Sequence, residues 1–346
     1  MALRPKLEFF RFTLTHHEIA IKTFREFAVE KLNVRRAAPD KAVMLRYLDY
    51  IVSALATDDA KEEAIKKQLR LVKSKANIHK EHAPAVDADN HLIYGVINGG
   101  RFGRHGMMGD AQADAAADDK VVAFGKEKTI LRYYFFLLYL PLNHNEGFFA
   151  IHSNSKEETV TDMMKTFVRR LFKGDGYISP RLYQYCPKVF REEFIQESYL
   201  KEMVFRDTVA DKIFTPDTMH HEDDIFDIEV KIRPRSKALV PDENVFNRIM
   251  KRLGLSRPGG TYTLDTFRSI KAKVNNPYSE SDRSFEINSE SIDDIVPVVY
   301  LDNRIKKYND DNTPDFGELS EFCRKMFLES ILPEIHPDRQ QHENND

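Results

Sequence analysis

The chain has 346 residues, of which 42% are apolar and 31% are charged, and its formal net charge is −3. This composition excludes a wholly disordered chain, and the length exceeds what one hydrophobic core usually serves, so we expect two domains. The most apolar run, Tyr133–Leu142, is about half as long as a membrane-spanning helix, so we predict no membrane segment.

Charge is unevenly distributed along the chain. Residues 276–346 hold 17 Asp and Glu against 7 Lys and Arg, a net charge of −10, and the remaining 45 basic and 38 acidic residues give +7. A basic body with an acidic C-terminal part is compatible with a polyanionic partner. Cys186 and Cys323 have no partner at zinc-binding spacing, and we expect the reducing cytoplasm as the compartment.

The N-terminal segment, residues 1–82, is predicted to be largely helical and to pack on the domain that follows. An aromatic strand at Leu7–Leu14 opens it. Apolar residues then recur every three to four positions in three stretches. This periodicity predicts helices at His17–Leu32, Met44–Leu55 and the lysine-rich Asp59–Lys75.

Residues 83–190 are predicted to form an α+β domain around a β-hairpin. Two apolar strands, Ile130–Leu140 and Gly147–His152, flank a polar turn of about six residues. A helix over residues 157–173 follows, because its apolar positions fall on one face. At the end of the second strand, we interpret His152 as a hydrogen-bonded structural residue.

Residues 191–346 are predicted to form a second α+β domain with an acidic end. Its apolar patterning indicates four strands, at residues 225–232, 267–274, 285–287 and 296–301. Residues 199–206 are predicted to turn from helix into strand. Helices are expected at residues 244–253 and at residues 315–332, ending at Pro333. Because strands and helices alternate irregularly, we expect the α+β class, with two layered domains of mixed or antiparallel sheets and packed helices.

A glycine-rich segment after the predicted strand Leu92–Ile97 is the first candidate binding site. Glycines stand at every third position of Gly100–Gly106, which matches neither the dinucleotide fingerprint nor the P-loop. Backbone amides in such a run can still hold an anion, and Arg101, Arg104 and His105 add positive charge. We interpret the segment either as a mobile basic loop that contacts nucleic-acid backbone or as a surface loop between strands.

Two further basic clusters are candidate phosphate contacts. On the predicted helix, four cations at spacings of about four share much of one face: Lys165, Arg169, Arg170 and Lys173. The last three are the candidate contacts. After the strand at residues 225–232, alternate positions carry four cations that project to one side of an extended chain: Lys231, Arg233, Arg235 and Lys237. Four like charges repel unless an anion or acidic neighbours face them. The row therefore predicts either phosphate contacts or pairing with the acidic residues 276–346.

A metal-dependent nuclease is an alternative interpretation of the second half. Asp217, which follows Pro216, and the tripeptide from Glu229 to Lys231 resemble the PD-(D/E)xK nuclease signature. Carboxylates there could hold Mg²⁺ while the lysine orients a water molecule, although a plain polar strand face fits equally. The sequence has no established nucleophile motif, so we lean against an enzyme. We predict no metal site and no cofactor, Mg²⁺ being needed only by a nuclease.

The hairpin and the helix after it resemble a group of bacterial proteins. Tyr133–Tyr139 (YYFFLLY), Gly147–Ser153 (GFFAIHS) and Phe167-Val168 are similar to the pattern of RexA-type phage-exclusion proteins and of proteins from phage-defence islands. This resemblance implies DNA binding or sensing in an antiviral system, often beside a partner protein. It carries over no catalytic residue.

We therefore expect a cytoplasmic antiviral-defence protein that binds nucleic acid, DNA in the first instance. Because the candidate contacts are to phosphate, we expect little sequence specificity and a steep dependence on salt. One alternative is a protein-interaction subunit whose acidic C-terminal part docks on a basic partner, and the other is the nuclease. A homodimer is compatible with each of these functions.

Overall fold

The computed structural model describes thirteen stretches: residues 4–18, 22–75, 77–103, 105–108, 122–126, 128–155, 158–211, 224–235, 256–257, 260–261, 269–276, 281–286 and 298–337. The chain divides into two compact units. Unit 1 comprises Met1–Tyr185 together with Val299–Asp346, and unit 2 comprises Cys186–Val298. No helix in the described stretches is long and apolar enough to cross a membrane.

The secondary structure is α+β, as expected. Numbered in chain order, the strands are β1 (Lys6–Thr13), β2 (Thr15–His16), β3 (Lys61–Glu62), β4 (Lys67–Arg70), β5 (Ala85–Asp87), β6 (Leu92–Arg101), β7 (Gly106–Met108), β8 (Val122–Phe124), β9 (Arg132–Tyr139), β10 (Glu146–Ser153), β11 (Tyr177–Ile178), β12 (Leu182–Tyr185), β13 (Tyr199–Asp211), β14 (Asp224–Ile232), β15 (Ser256–Arg257), β16 (Gly260–Thr261), β17 (Ser269–Asn276), β18 (Ser281–Glu286) and β19 (Val299–Tyr300). The helices are α1 (Phe24–Lys31), α2 (Asp40–Ala54), α3 (Thr161–Leu171), α4 (Lys188–Glu197), α5 (Phe316–Met326) and α6 (Leu332–Ile335), with a π-helical turn at Phe327–Ile331 joining the last two. Short 3₁₀ turns lie at Asp58–Ala60 and Lys80–His82.

Unit 1 is built on one large antiparallel sheet with the order β12-β1-β10-β9-β6-β4-β3, in which β19 also pairs with β1 and β5 with β6. The first three helices cover one face, where Phe27 of α1, Tyr47 of α2 and Phe167 of α3 join the aromatic core of the sheet. On the other face, the ring of Phe327 packs 4.8 Å from that of Tyr139. The sheet therefore lies between two helical layers.

The predicted hairpin is confirmed as β9 and β10, which lie at the centre of this sheet. Side chains on both faces of the hairpin are buried, and the rings of Phe10 and Phe149 stack across the β1–β10 pair at 4.9 Å. Burial on both faces explains why the strands read as continuous apolar runs rather than as alternating patterns.

The helix predicted at Asp59–Lys75 is wrong. The segment forms the short antiparallel pair β3 and β4, and β4 continues the sheet by pairing with β6. Lys67 and Leu69 point inward while Arg70 is exposed, which is strand alternation. The helical periodicity of the lysine-rich stretch did not decide its structure because pairing with the edge of β6 competes with local helix propensity.

Several predicted helix ends also differ from the structure. The first helix begins at Phe24 rather than His17, because Thr23 and Glu26 form a capping box there. Residues 199–206, predicted as part helix, lie wholly in strand β13. The C-terminal helical segment does not stop at Pro333, which occupies the first turn of α6, where a proline is tolerated. The helix predicted at residues 244–253 lies outside the described residues.

Unit 2 contains a four-stranded antiparallel sheet with the order β14-β13-β17-β18. Among the described residues, five buried side chains lie on one face of this sheet: Leu200, Met203, Phe205, Ala272 and Val274. Helix α4 adds the buried Phe190 and Phe194. The chain thus divides differently from the predicted segments 1–82, 83–190 and 191–346, because β19 pairs with β1 and α5 packs on the large sheet.

Candidate anion-binding site

A pocket of about 420 Å³ lies in unit 1, where strands β4, β6 and β9 meet the N-terminus of α3. We call it the basic pocket, and it is lined by Lys67, Gly100, Arg101, His105, Phe124, Lys128, Ile130, Arg132, Tyr134, Glu158, Thr159 and Val160. Among the described residues that line it are four lysine and arginine side chains and one carboxylate, that of Glu158. The pocket therefore carries an excess of positive charge beside apolar and aromatic walls.

Strand register brings three of these cations together. Lys67 on β4 lies directly opposite Arg101 on β6, and the next inward position of β6, Gly99, lies opposite Arg132 on β9. Because alternate residues of a strand share a face, all three cations stand on the face of the sheet that α3 covers. Like charges directly opposite each other in a sheet are destabilising. The Lys67–Arg101 pair therefore favours an anion between or beside the two side chains.

Gly99 and Gly100, at the start of the glycine-rich segment, lie in strand β6 and not in a loop, and they permit close approach of neighbouring segments. A Cβ atom on Gly99 would stand 2.8 Å from Cγ1 of Val160, and one on Gly100 would overlap the carbonyl oxygen of Ile130. Side chains here would push away the start of α3 and the segment before β9. The glycines therefore shape the pocket through packing instead of offering a phosphate-binding loop.

Helix α3 begins at the pocket. Its N-cap residue, Val160, provides no side-chain cap, and Thr159 Oγ1 accepts a hydrogen bond from the backbone N–H of Thr161 at 3.2 Å. The N-terminus of a helix carries partial positive charge and outward-facing N–H groups, both of which favour an anion. The helix dipole thus adds to the charge of the lysine and arginine side chains.

Lys67 is the most unusual residue of the pocket, because it is only 5% exposed. Its ammonium makes no hydrogen bond or ion pair with any residue in the described stretches. Burial lowers the pKa of Lys67, and Arg101 lowers it further, whereas Asp162 and Glu8 act in the opposite direction. Glu8 is engaged elsewhere, since it pairs with Lys6 at 3.0 Å and accepts a hydrogen bond from Thr161 Oγ1 at 2.7 Å.

The structure places the predicted phosphate contacts of unit 1 at two separate positions. Arg101 and His105 line the basic pocket, whereas Arg104 lies outside the described residues. On α3, Arg170 pairs with Glu62 at 2.6 Å, while Arg169 and Lys173 are exposed at the end of the helix. Since eight residues separate Arg169 from the start of α3, about 12 Å of helix lies between that cluster and the pocket.

The predicted basic row of unit 2 faces carboxylates of its own sheet. Lys231 pairs with Glu229 at 2.6 Å, and Arg233 pairs with Glu202 at 2.5 Å. These partners belong to β14 and β13 and not to the acidic residues 276–346. Arg235 is exposed, and Lys237 lies outside the described residues.

The residues of the nuclease hypothesis are only partly described. Asp217 lies outside the described residues, and the carboxylate of Glu229 is held by both Lys231 and Arg206, the latter at 2.7 Å. Hydrogen bonds from Lys231 and then Arg206 lower the pKa of Glu229. In the part of the chain that the structure describes, no group of three or more His, Cys, Asp and Glu side chains could hold a metal ion. The nuclease stays a prediction.

Sequence reasoning missed Lys67, Lys128 and Arg132 as members of a site. Lys67 stood in a segment predicted as helix, and the other two flank the start of a strand with no motif around them. The chain matches no protein-family model, and no curated protein or solved structure is significantly similar to it. The resemblance to RexA-type proteins therefore stays a prediction based on residues 133–168.

Proposed function

We propose that the protein binds nucleic acid through its phosphates and that the basic pocket makes the principal contact. The observation that carries this proposal is the cluster of four lysine and arginine side chains around one carboxylate, with Lys67 buried and unpartnered among the described residues. Phosphate neutralisation is the usual role of such a cluster in a nucleic-acid-binding protein. Arginine and lysine donors suit phosphate oxygens particularly well.

The expected binding has little sequence specificity. Phosphate contacts set the position of a protein on nucleic acid but do not read its bases. Three exposed cations are secondary phosphate contacts in this proposal: Arg169 on α3, Lys173 just after that helix, and Arg235 in unit 2. Lys231 and Arg233 contribute less, because each already faces a carboxylate at 2.6 Å or less.

The biological setting is part of the same proposal. The pattern of residues 133–168 supports a bacterial antiviral-defence protein with DNA as its nucleic acid and with a protein partner or a second copy beside it. Cys186 and Cys323 are both buried as free thiols, which supports a reducing, cytoplasmic compartment. No catalytic activity is included in this proposal.

The first test is binding of the full-length protein to a fluorescent random-sequence duplex over a salt series, followed by anisotropy. If the four permanent cations of the pocket each release a counterion, the logarithm of affinity falls with a slope of up to about −3.6 against the logarithm of salt concentration. A parallel series with Mg²⁺ is run on a gel. Cleavage that disappears in Glu229→Ala would favour the nuclease, and no binding at low salt would exclude both nucleic-acid functions.

Two matched double variants locate the contact. Arg101→Ala with Lys128→Ala removes two cations from the pocket, and Lys231→Ala with Arg233→Ala removes two from unit 2. We expect the pocket variant to weaken binding and to reduce the salt slope by about 2, and the other variant to have the smaller effect. The reverse order would move the interface to unit 2 and refute the pocket as principal contact.

A further inference from the structure

The residues that line the basic pocket form a buried floor and an exposed rim. Lys67, Tyr134 and Val160 are at most 5% exposed and form the floor. Arg101, Lys128 and Arg132 are exposed and form the rim. A ligand group must therefore leave the surface and enter the pocket before it can reach the ammonium of Lys67.

The floor offers hydrogen-bond donors without acceptors opposite them. The Lys67 ammonium and the Tyr134 hydroxyl each bond to no residue in the described stretches. Burial raises the pKa of Tyr134, so that its hydroxyl stays protonated and able to donate at physiological pH. The N-terminus of α3 stands beside them at Val160. All three features favour an oxyanion at the floor.

We propose that the floor of the basic pocket binds the terminal phosphate of a nucleotide, while Phe124 and Ile130 contact its base or sugar. This inference rests on the phosphate binding proposed above and names the chemical group that the pocket takes. The ligand is a phosphomonoester on a nucleoside, either at the end of a nucleic-acid strand or as a free mononucleotide. A pocket of about 420 Å³ lies within the usual range for small-molecule sites.

A terminal phosphate fits this pocket better than an internal one for two reasons. An internal phosphodiester has a sugar on both sides and meets the rim first, whereas a terminal phosphate can enter end-on and reach Lys67. A phosphomonoester also carries a charge of about −1.5 to −2 at neutral pH, which matches the excess of cations better than the single charge of a diester. The carboxylate of Glu158 is no obstacle, since it lies 3.5 Å from Arg132.

Isothermal titration calorimetry of the full-length protein with adenosine monophosphate, adenosine and inorganic phosphate tests the proposal. We expect the monophosphate to bind, adenosine to give no signal because it lacks the anion, and inorganic phosphate to bind more weakly because it misses the apolar wall. Lys67→Met should weaken binding of the monophosphate about tenfold or more. Absence of binding, or equal binding by the variant, would overturn the proposal.

Lys66→Met is the matched control, because Lys66 is the exposed neighbour that pairs with Glu63 at 2.8 Å. It should bind the monophosphate as the wild type does. Circular dichroism checks that both variants are folded. If Lys67→Met does not fold, Arg101→Met and Lys128→Met on the rim take its place, each with weaker binding expected.

Oligonucleotides distinguish the two sources of the phosphate. Strands with a phosphate on the 5′ end, on the 3′ end or on neither are compared, and a preference that Lys67→Met abolishes identifies the strand end. If the three oligonucleotides bind equally well and the monophosphate also binds, the free nucleotide is the ligand of the pocket. Closed circular duplex has no ends, so salt-dependent binding to it without binding of the monophosphate would leave the proposed function intact and refute this inference. Binding of the monophosphate without binding of any polymer would support this inference and refute the proposed binding of nucleic acid.

Discussion

His152 on β10 is fully buried, and neither of its ring nitrogens has a hydrogen-bond partner among the residues that the structure describes. The interpretation of this residue as hydrogen-bonded was therefore wrong. Burial in the core lowers the pKa of His152 from 6.5 to about 3. The folded protein keeps the ring neutral, whereas the unfolded chain binds a proton there below about pH 6.5.

The pH dependence of stability follows from this difference. Since the unfolded state binds the extra proton, the contribution of His152 is complete above pH 6.5 and is lost as the pH falls towards 3. The free energy of unfolding should fall by about 1.4 kcal/mol per pH unit in that window from this residue alone. Urea unfolding followed by circular dichroism should show a shallower pH dependence in His152→Leu. The exposed His17→Leu is the control, and equal slopes in all three proteins would contradict the assignment.

Lys67 is the second residue whose burial has a measurable consequence. Lys67 is only 5% exposed and lies opposite Arg101, with no counter-charge paired to its ammonium among the described residues. Taking a charge out of water without a paired counter-charge costs free energy, and even a buried ion pair can often be replaced by apolar side chains of similar volume with a neutral effect or a gain of up to about 4 kcal/mol. We expect Lys67→Met to raise the free energy of unfolding of the ligand-free protein, while Lys66→Met stays within about 0.5 kcal/mol of the wild type. A loss of stability in Lys67→Met would show that the ammonium has a stabilising partner.

At the scale of secondary-structure elements, the approach of α3 to β6 shapes the pocket. Val160 precedes the first turn of α3 and lies against Gly99, where a Cβ atom would stand 2.8 Å from Cγ1 of Val160 and 3.1 Å from Cδ2 of Leu69. Only a residue without a side chain lets the helix start so close to the strand. The position of the helix N-terminus thus depends on one glycine.

Gly99→Ala should therefore destabilise the protein by about 1–3 kcal/mol, because the added methyl group overpacks this contact. The double variant with Val160→Ala should recover part of the loss, since it removes the atom that the methyl group meets. A double-mutant cycle measured by urea unfolding gives the coupling energy. Strictly additive effects would mean that Gly99 and Val160 do not limit the approach of α3.

At the scale of the whole molecule, the chain has two units with separate buried clusters. Phe205 on β13 is completely buried in unit 2, and Phe149 on β10 is completely buried in unit 1. Each unit buries apolar side chains of its own, so each has its own source of stability. Unfolding of the full chain should then depart from a two-state transition.

Phe205→Ala tests this independence. The truncation should cost unit 2 about 3–5 kcal/mol, because it removes a fully buried ring. Hydrogen exchange measured by mass spectrometry should become faster in peptides from β13, β14 and β17 and stay unchanged in β9 and β10. Faster exchange in both units would show that they unfold as one cooperative body. Phe149→Ala, with the converse expectation, is the matched variant.

The sequence by itself determined the α+β class and the elements whose patterns are long or whose apolar content is high. Strands β1, β9 and β10, helix α2 and the body of α3 lie where periodicity predicted them, because burial in the core imposes these patterns. It also showed Arg101 and His105 as candidate contacts through the glycine-rich segment. These are local properties, and a local pattern is sufficient to predict them.

Only the tertiary structure decided that residues 61–70 form strands of the large sheet. It also decided that Val299 and α5 belong to unit 1, and which residues line the pocket. Lys67, Arg101 and Arg132 come from three strands that are distant in sequence, and the register of β4, β6 and β9 alone places them side by side. The folded structure likewise decides which carboxylates face Lys231 and Arg233, and the partner of Arg233, Glu202, lies on the neighbouring strand β13. Pairing between distant strands depends on long-range contacts, which no local periodicity in the sequence records.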